Sequence, residues 1–329
     1  MSEQELHQPH DKLFKTVFSE PASAAAFLKS QLPVQLAALL GWKALKLESG
    51  SFIDSHFRLS ESDLLYSVPL EGREAMVYLL FEHQRQKDPW IALRLLRYMI
   101  RIWERHQETH KESTRLPVIL PVVLAQNADR WEVSTRFADL LDLPQETRSA
   151  FSPFIPDFHF QLAALADMPF TQIAGTPAGI LVLRTLKAEV SGSLLTDAVW
   201  DESLFSEVGQ HIFEMVLRYI VERADVDKTL VREKIIGIQN TKLKEIAMTV
   251  AQQFRQEGRQ EGRQEGHQEG RQEGLQEAII EALEIRFNSL PAGMRESING
   301  ITDLEKLRDL HHTAIRCADL VVFAQALQT

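Results

Sequence analysis

Polar and apolar positions along the chain change character near residue 130. Before that point, short apolar runs with strand-like and helix-like spacing alternate. Residues 11–40 read as helical, broken at "SEPAS" and again near Pro33. "ALKLESGSFIDSHFRL" at 44–59 suits an extended strand or a bent pair. "DLLYSVPL" at 63–70 and "AMVYLLFEHQ" at 75–84 predict strands flanking a turn at "EGRE". Residues 90–109 place apolar side chains at helical spacing, and "LPVILPVVLAQN" at 116–127 reads as a short buried strand. Helix, two or three strands, helix, strand is the order of a mixed α/β core with one crossover.

Past residue 130, Pro144, Pro153, Pro156 and Pro169 punctuate short loops, and long helical segments follow at about 175–190, 200–224, 227–254, 275–288 and 302–327. Between them lies "RQEGRQEGRQEGHQEGRQEG", 255–274, a four-residue repeat. In a helix each of its glycines costs about 1 kcal/mol relative to alanine, and like charges stack at i, i+4. Two readings stay open: a solvated, partly helical linker, or a helix whose glycines let another chain approach closely.

The strand at 75–84 ends unusually. Five large apolar residues, "VYLLF" at 77–81, give way to Glu82, His83 and Gln84, and period-2 geometry puts Glu82 and Gln84 on one face. A carboxylate on a buried side costs several kcal/mol unless something pairs with it. A hairpin closed by Gly72-Arg73 as a type II′ loop would set Ser67 opposite Tyr78, Leu65 opposite Leu80, and Asp63 opposite Glu82. Opposed Cβ atoms are about 4.5–5.5 Å apart, so the two carboxylates need a shared proton, a basic side chain or a cation. Mg²⁺ takes hard oxygen ligands from one or two carboxylates and keeps several waters. The plain alternative is that Asp63 merely starts a strand and that Glu82 and Gln84 face solvent.

Charge sharpens the picture. The net charge is −10, which by itself argues against an anionic partner. Yet between His83 and Leu116 eight Lys and Arg stand against four acids, so basic charge follows directly on the strand in question. In the helix 90–109, Arg94, Arg97, Arg101 and Arg105 fall within an arc of about 80°, opposite the apolar face, and guanidinium suits phosphate. Tyr98 borders that stripe and is a further candidate contact, although an ordinary solvated face with a half-buried tyrosine is the bland reading.

Other residues carry less. His10-Asp11 and His311-His312 lack metal-ligand spacing and read as surface or capping pairs. Cys317, the single cysteine, sits in an apolar stripe and reads as core; one thiol makes no internal disulfide and no Cys-based zinc site. Trp42, Trp90, Trp103 and Trp131 read as core anchors. There is no Gly-rich phosphate loop and no G-x-S-x-G element. The absence of a signal-like or membrane-length apolar run and the cysteine usage lead to the expectation of a soluble chain in a reducing cytoplasm.

With these residues in hand, the chain resembles the recombination-promoting nuclease (Rpn) and putative transposase family, which is similar to the PD-(D/E)XK nucleases. The resemblance rests on "HDKLFKTVFS" (10–19), "ESDLLYSV" (61–68), "YLLFEHQ" (78–84), "LRLLRYMIRIWE" (93–104) and "LPVILPVVL" (116–124). It implies a restriction-endonuclease-like α/β core of helix, three strands, helix and strand, followed by a mostly helical C-terminal region. It implies a nuclease domain at 1–165; beyond it, the pattern along the chain divides into a helical extension at 166–252, a repeat segment at 253–274, a linker or interaction segment, and a C-terminal helical region at 275–329. It makes Asp63 and Glu82 the metal-holding acids, puts Gln84 at the superfamily's lysine position, where some nuclease branches, this one included, carry Gln, and matches Asp11 to an acid of the first helix. Where relatives often carry Tyr-His-Gly after the last core strand, this chain has Ala125-Gln126-Asn127.

Two function classes follow. In the first the chain is a Mg²⁺-dependent DNA endonuclease of little sequence preference: Asp63, Glu82 and Gln84 do the chemistry, and the arginine face holds backbone phosphates. The family implies a role in recombination or mobile-element movement, or in phage defence. In the second the site is silent, and the chain binds DNA or assembles, as a homo-oligomer, through its C-terminal helices.

Overall fold

The computed structural model describes residues 9–48, 63–82, 88–126, 130–144, 146–223 and 228–328. Three helices open it: α1 (Pro9–Phe18), α2 (Pro21–Gln31) and α3 (Val34–Leu39). Pro21 begins α2 and Pro33 precedes α3, so the two breaks fall where proline makes a helix start rather than continue. A five-stranded sheet follows in the order β1 (Lys46–Leu47), β2 (Leu64–Leu70), β3 (Arg73–Glu82), β4 (Val118–Ala125), β5 (Gln161–Ala164). The first three strands pair antiparallel; β3–β4 and β4–β5 pair parallel. The crossover between β3 and β4 is α4 (Ile91–Thr109), and a one-turn α5 (Arg148–Phe151) lies between β4 and β5. The α/β expectation holds. Strand β5 is an addition to it: "QLAA" is short and alanine-rich, favours helix over strand by local propensity, and is extended because it pairs with β4.

Strand parity divides the core. Leu65, Met76, Ile119, Val123 and Ala125 share one face and pack with Ile91, Leu95, Met99 and Ile102 of α4. The alternate positions, Tyr66, Val68, Val77, Val122 and Leu124, are buried on the other face, where the Tyr66 hydroxyl donates to the carbonyl of Phe18 in α1. Helices α6 (Pro177–Val190), α7 (Glu202–Glu207) and α8 (Gln210–Arg223) continue the chain, and α1 packs against both α6 and α8.

The predicted helix at 200–224 is two helices, parted at Val208-Gly209. That at 227–254 is also two, α9 (Lys228–Gly237) and the start of α10 (Thr241–Phe287). Asn240 Oδ1 accepts from the backbone N–H of Lys242 and Leu243, which begins α10. By contacts the chain divides into two units, Met1–Val250 and Ala251–Thr329, with the division inside α10. The second unit adds α11 (Met294–Asn299), α12 (Leu304–Arg316) and α13 (Leu320–Gln328). Its core includes Ile279, Leu283, Ile298, Leu307, Phe323 and the buried Cys317, as the apolar stripe around that cysteine implies. Arg286 Nη1 and Nη2 donate to the carbonyls of Ala314 and Cys317, each at 2.6 Å, satisfying the C-terminal end of α12.

The repeat is helical throughout, inside α10. Among the described residues, nothing outside the helix's own backbone comes within 4 Å of a Cβ built on Gly258, Gly262, Gly266, Gly270 or Gly274. No described helix is long and apolar enough to cross a membrane.

Candidate functional site

The β2–β3 hairpin turns at Glu71-Gly72, with φ of 46° and 76°. Positive φ at both central residues makes a type I′ turn, whose twist matches that of the flanking strands. The closing pair is Leu70↔Arg73, and the register runs on through Tyr66↔Val77 to Leu64↔Leu79. This corrects the expected Gly72-Arg73 loop and the direct opposition of Asp63 and Glu82. One step past Leu64, Asp63 comes opposite Leu80, and position 82 is its diagonal neighbour on the same face. Diagonal neighbours are about 7–8 Å apart.

Asp63 is 7% exposed and by parity lies on the α4 side of the sheet. Glu82 is the last residue of β3, in register with Ala125 of β4. Gln84 lies outside the described residues. The described residues hold no cluster of three or more His, Cys, Asp or Glu that could bind a metal ion. A two-carboxylate site completed by waters needs no such cluster.

Helix α4 lies between β3 and β4, which run parallel, so it starts toward the end of the sheet where β3 finishes. Asp88 Oδ1 accepts from the Trp90 N–H at 2.8 Å, and its other oxygen pairs with Arg94 Nη1 at 3.2 Å. Arg101 pairs with Glu104 at 3.0 Å. Arg97 is exposed and among the described residues makes no ion pair, while Arg105 is half-buried. Tyr98 is half-buried against the α4–sheet core. Trp90 is not the core anchor its size implies: it is 60% exposed. It precedes the apolar arc of α4 and falls at the angle of the arginines instead. That angle could have been read from the sequence, but the identity of the residue hid it.

The opposite face carries a polar cluster that the sequence reading put on the surface. His10 and Asp11 are buried, at 4% and 6% exposure, because α1 turns its first turn inward between α6 and α8. The Tyr219 hydroxyl of α8 bonds His10 Nδ1, and burial, aided by the charge of Glu189, pushes that phenol's pKa up. Gln126, at the end of β4, donates to the Leu186 carbonyl at 2.8 Å and to Glu189 Oε2 at 3.3 Å. The Gln126 side chain is thus tied to α6 and to Tyr219 of α8. Nothing local in the sequence signals a cluster drawn from positions 10, 126, 189 and 219.

A family model described as "Putative transposase, YhgA-like" matches residues 8–195. The chain is 43% identical over 106 residues to the recombination-promoting nuclease RpnA of Escherichia coli (strain K12), spanning 32% of this chain and 36% of that protein. It is 40% identical over 100 residues to RpnD, a recombination-promoting nuclease of Escherichia coli O157:H7, spanning 30% and 38%. It is 40% identical over 94 residues to the "putative inactive recombination-promoting nuclease-like protein YjiP" of Escherichia coli (strain K12), spanning 29% and 91%. The match therefore spans little more than a third of the two nucleases. No solved structure matches the chain.

Proposed function

We propose that this chain, which belongs to the YhgA-like transposase family, is a metal-dependent DNA endonuclease of little sequence preference that acts in recombination. What supports the reading is that Asp63 is buried one residue before β2, and the β2–β3 register carried one step further sets it on the face of position 82, at the end of β3 that α4 follows. Asp63 and Glu82 would hold the divalent cation, which supplies charge neutralisation at the scissile phosphate when bound. Gln84 has an amide that can orient the attacking water and cannot accept its proton. Arg94, Arg97, Arg101 and Arg105 run about 16 Å along α4 and hold backbone phosphates, contacts that are indifferent to sequence.

A second reading has specific support: relatives of comparable identity carry names that call them inactive, and the Gln84 amide cannot take up the proton of an attacking water. On that reading the chain binds DNA, or assembles as a homo-oligomer through its C-terminal helices, with a silent site. Supercoiled plasmid incubated with purified protein separates the two. Nicking that needs Mg²⁺, stops with EDTA and is lost in Asp63→Ala supports the nuclease. DNA binding with no nicking under any condition supports the silent site.

A further inference from the structure

Trp90 lies one turn ahead of Arg94, whose backbone N–H donates to the Trp90 carbonyl at 3.0 Å. Continuing the helical angle back through that turn puts Trp90 inside the arc of about 80° that holds the four arginines. Trp90 is 60% exposed, more than Ile100, the exposed large apolar residue of α4, at 43%. A single exposed apolar residue needs no explanation. An exposed tryptophan in line with a row of guanidinium groups, at the end of α4 that follows β3, makes a chemically specific surface. It has a flat π face for a partner that also carries regularly spaced negative charge. Unpaired nucleobases on a phosphate backbone have both properties, and stacked base pairs hide the first.

We propose that Trp90 stacks on an unpaired base beside the cleavage site, and that the preferred substrate is DNA with single-stranded character. The proposal rests on the nuclease reading for its site and adds to it the form of the DNA. Trp90 acts as a positioning residue: it fixes the strand relative to Asp63 and Glu82 and touches no reacting atom.

The test is fluorescence anisotropy with a labelled single-stranded oligonucleotide and the corresponding duplex, in EDTA so that cleavage plays no part. It uses the full chain, Trp90→Ala and Trp90→Phe, with thermal melts to check folding. The expected result is about a tenfold weaker grip of Trp90→Ala on the single strand, with most of it restored in Trp90→Phe and much less change on the duplex. Wild-type protein that binds while Trp90→Ala binds the single strand equally well overturns the proposal, and so does an equal loss on both DNA forms. Wild-type protein that binds neither DNA overturns the nuclease reading and this proposal with it, an outcome distinct from the other two.

Discussion

The hydroxyl of Tyr219 and Nδ1 of His10 are hydrogen-bonded across 209 residues of chain. This bond joins the first turn of α1 to α8, which lies beyond residue 195, where the family match stops. The two rings also meet edge to face, 5.2 Å between centroids. Helix α8 is therefore part of the packing that sets α1 against the sheet. Tyr219→Phe keeps the ring contact and removes the bond, so it should cost about 1–2 kcal/mol. Urea unfolding followed by circular dichroism measures it, and an unchanged midpoint would show the bond to be without weight.

The hairpin turn offers a stabilising change. Glu71 is held at φ 46°, a conformation that Asn or Gly adopts more readily. Glu71→Asn should raise stability by about 0.5–1 kcal/mol. Gly72→Ala, at φ 76°, should lower it by about 1 kcal/mol. A fall in melting temperature for Glu71→Asn would count against the type I′ geometry and the register built on it.

That register marks the limit of what the sequence disclosed. The apolar runs of β2, β3 and β4 and the periodicity of α4 are local signals, and they placed the strands within two or three residues of their ends. The turn needed a choice between two loops of equal length that share Gly72, and hydrophobic pattern does not distinguish them. Both keep the same residues on the same faces, so Asp63 stays on the face of position 82 either way. His10, Asp11, Gln126 and Tyr219 were beyond reach for another reason. A polar residue is buried when distant segments satisfy it, and no window around residue 10 contains residue 219.

The arginine face should be separable residue by residue. Arg97 has no described ion pair to break, whereas Arg94 and Arg101 are tied to Asp88 and Glu104. Arg97→Ala should weaken DNA binding equally for unrelated sequences and lower the slope of log K against log salt by about 1. A loss confined to one sequence would mean that Arg97 reads bases, contrary to the proposed phosphate contact.

Asp201 should make part of the stability depend on acid. Its carboxylate caps α7, accepting from the N–H of Ser203 and Leu204 and from the Ser203 hydroxyl, and it receives Arg184 Nη1 at 3.2 Å. The Ser203 hydroxyl chiefly, with the backbone N–H groups and Arg184 adding to it against the cost of burial, holds its pKa below the usual carboxylate value. A depressed folded-state pKa contributes stability that is complete above the unfolded value, about 3.9, and is lost as pH falls through the folded one. Asp201→Ala should cost about 1 kcal/mol at neutral pH. The gap between variant and wild type should narrow as the pH drops below about 4; a gap that stays constant would show that the cap does not depend on its charge.

The last prediction concerns the repeat in α10. A helix that carries glycine at every fourth position over 258–274 gives up about 1 kcal/mol at each relative to alanine. Among the described residues nothing lies within 4 Å of a Cβ built on those glycines, so a methyl group there meets nothing described that it must displace. Gly262→Ala, Gly266→Ala and Gly270→Ala combined should therefore raise the helical signal at 222 nm and delay its loss on heating, at concentrations where the chain is single. The two readings of the repeat then separate with concentration. A solvated helix keeps the gain at every concentration. A helix that a second copy approaches closely gains at low concentration and loses at high concentration, because the added methyl groups hold the two backbones apart. No gain even at low concentration would show that the segment owes its helical state to something other than its own propensity.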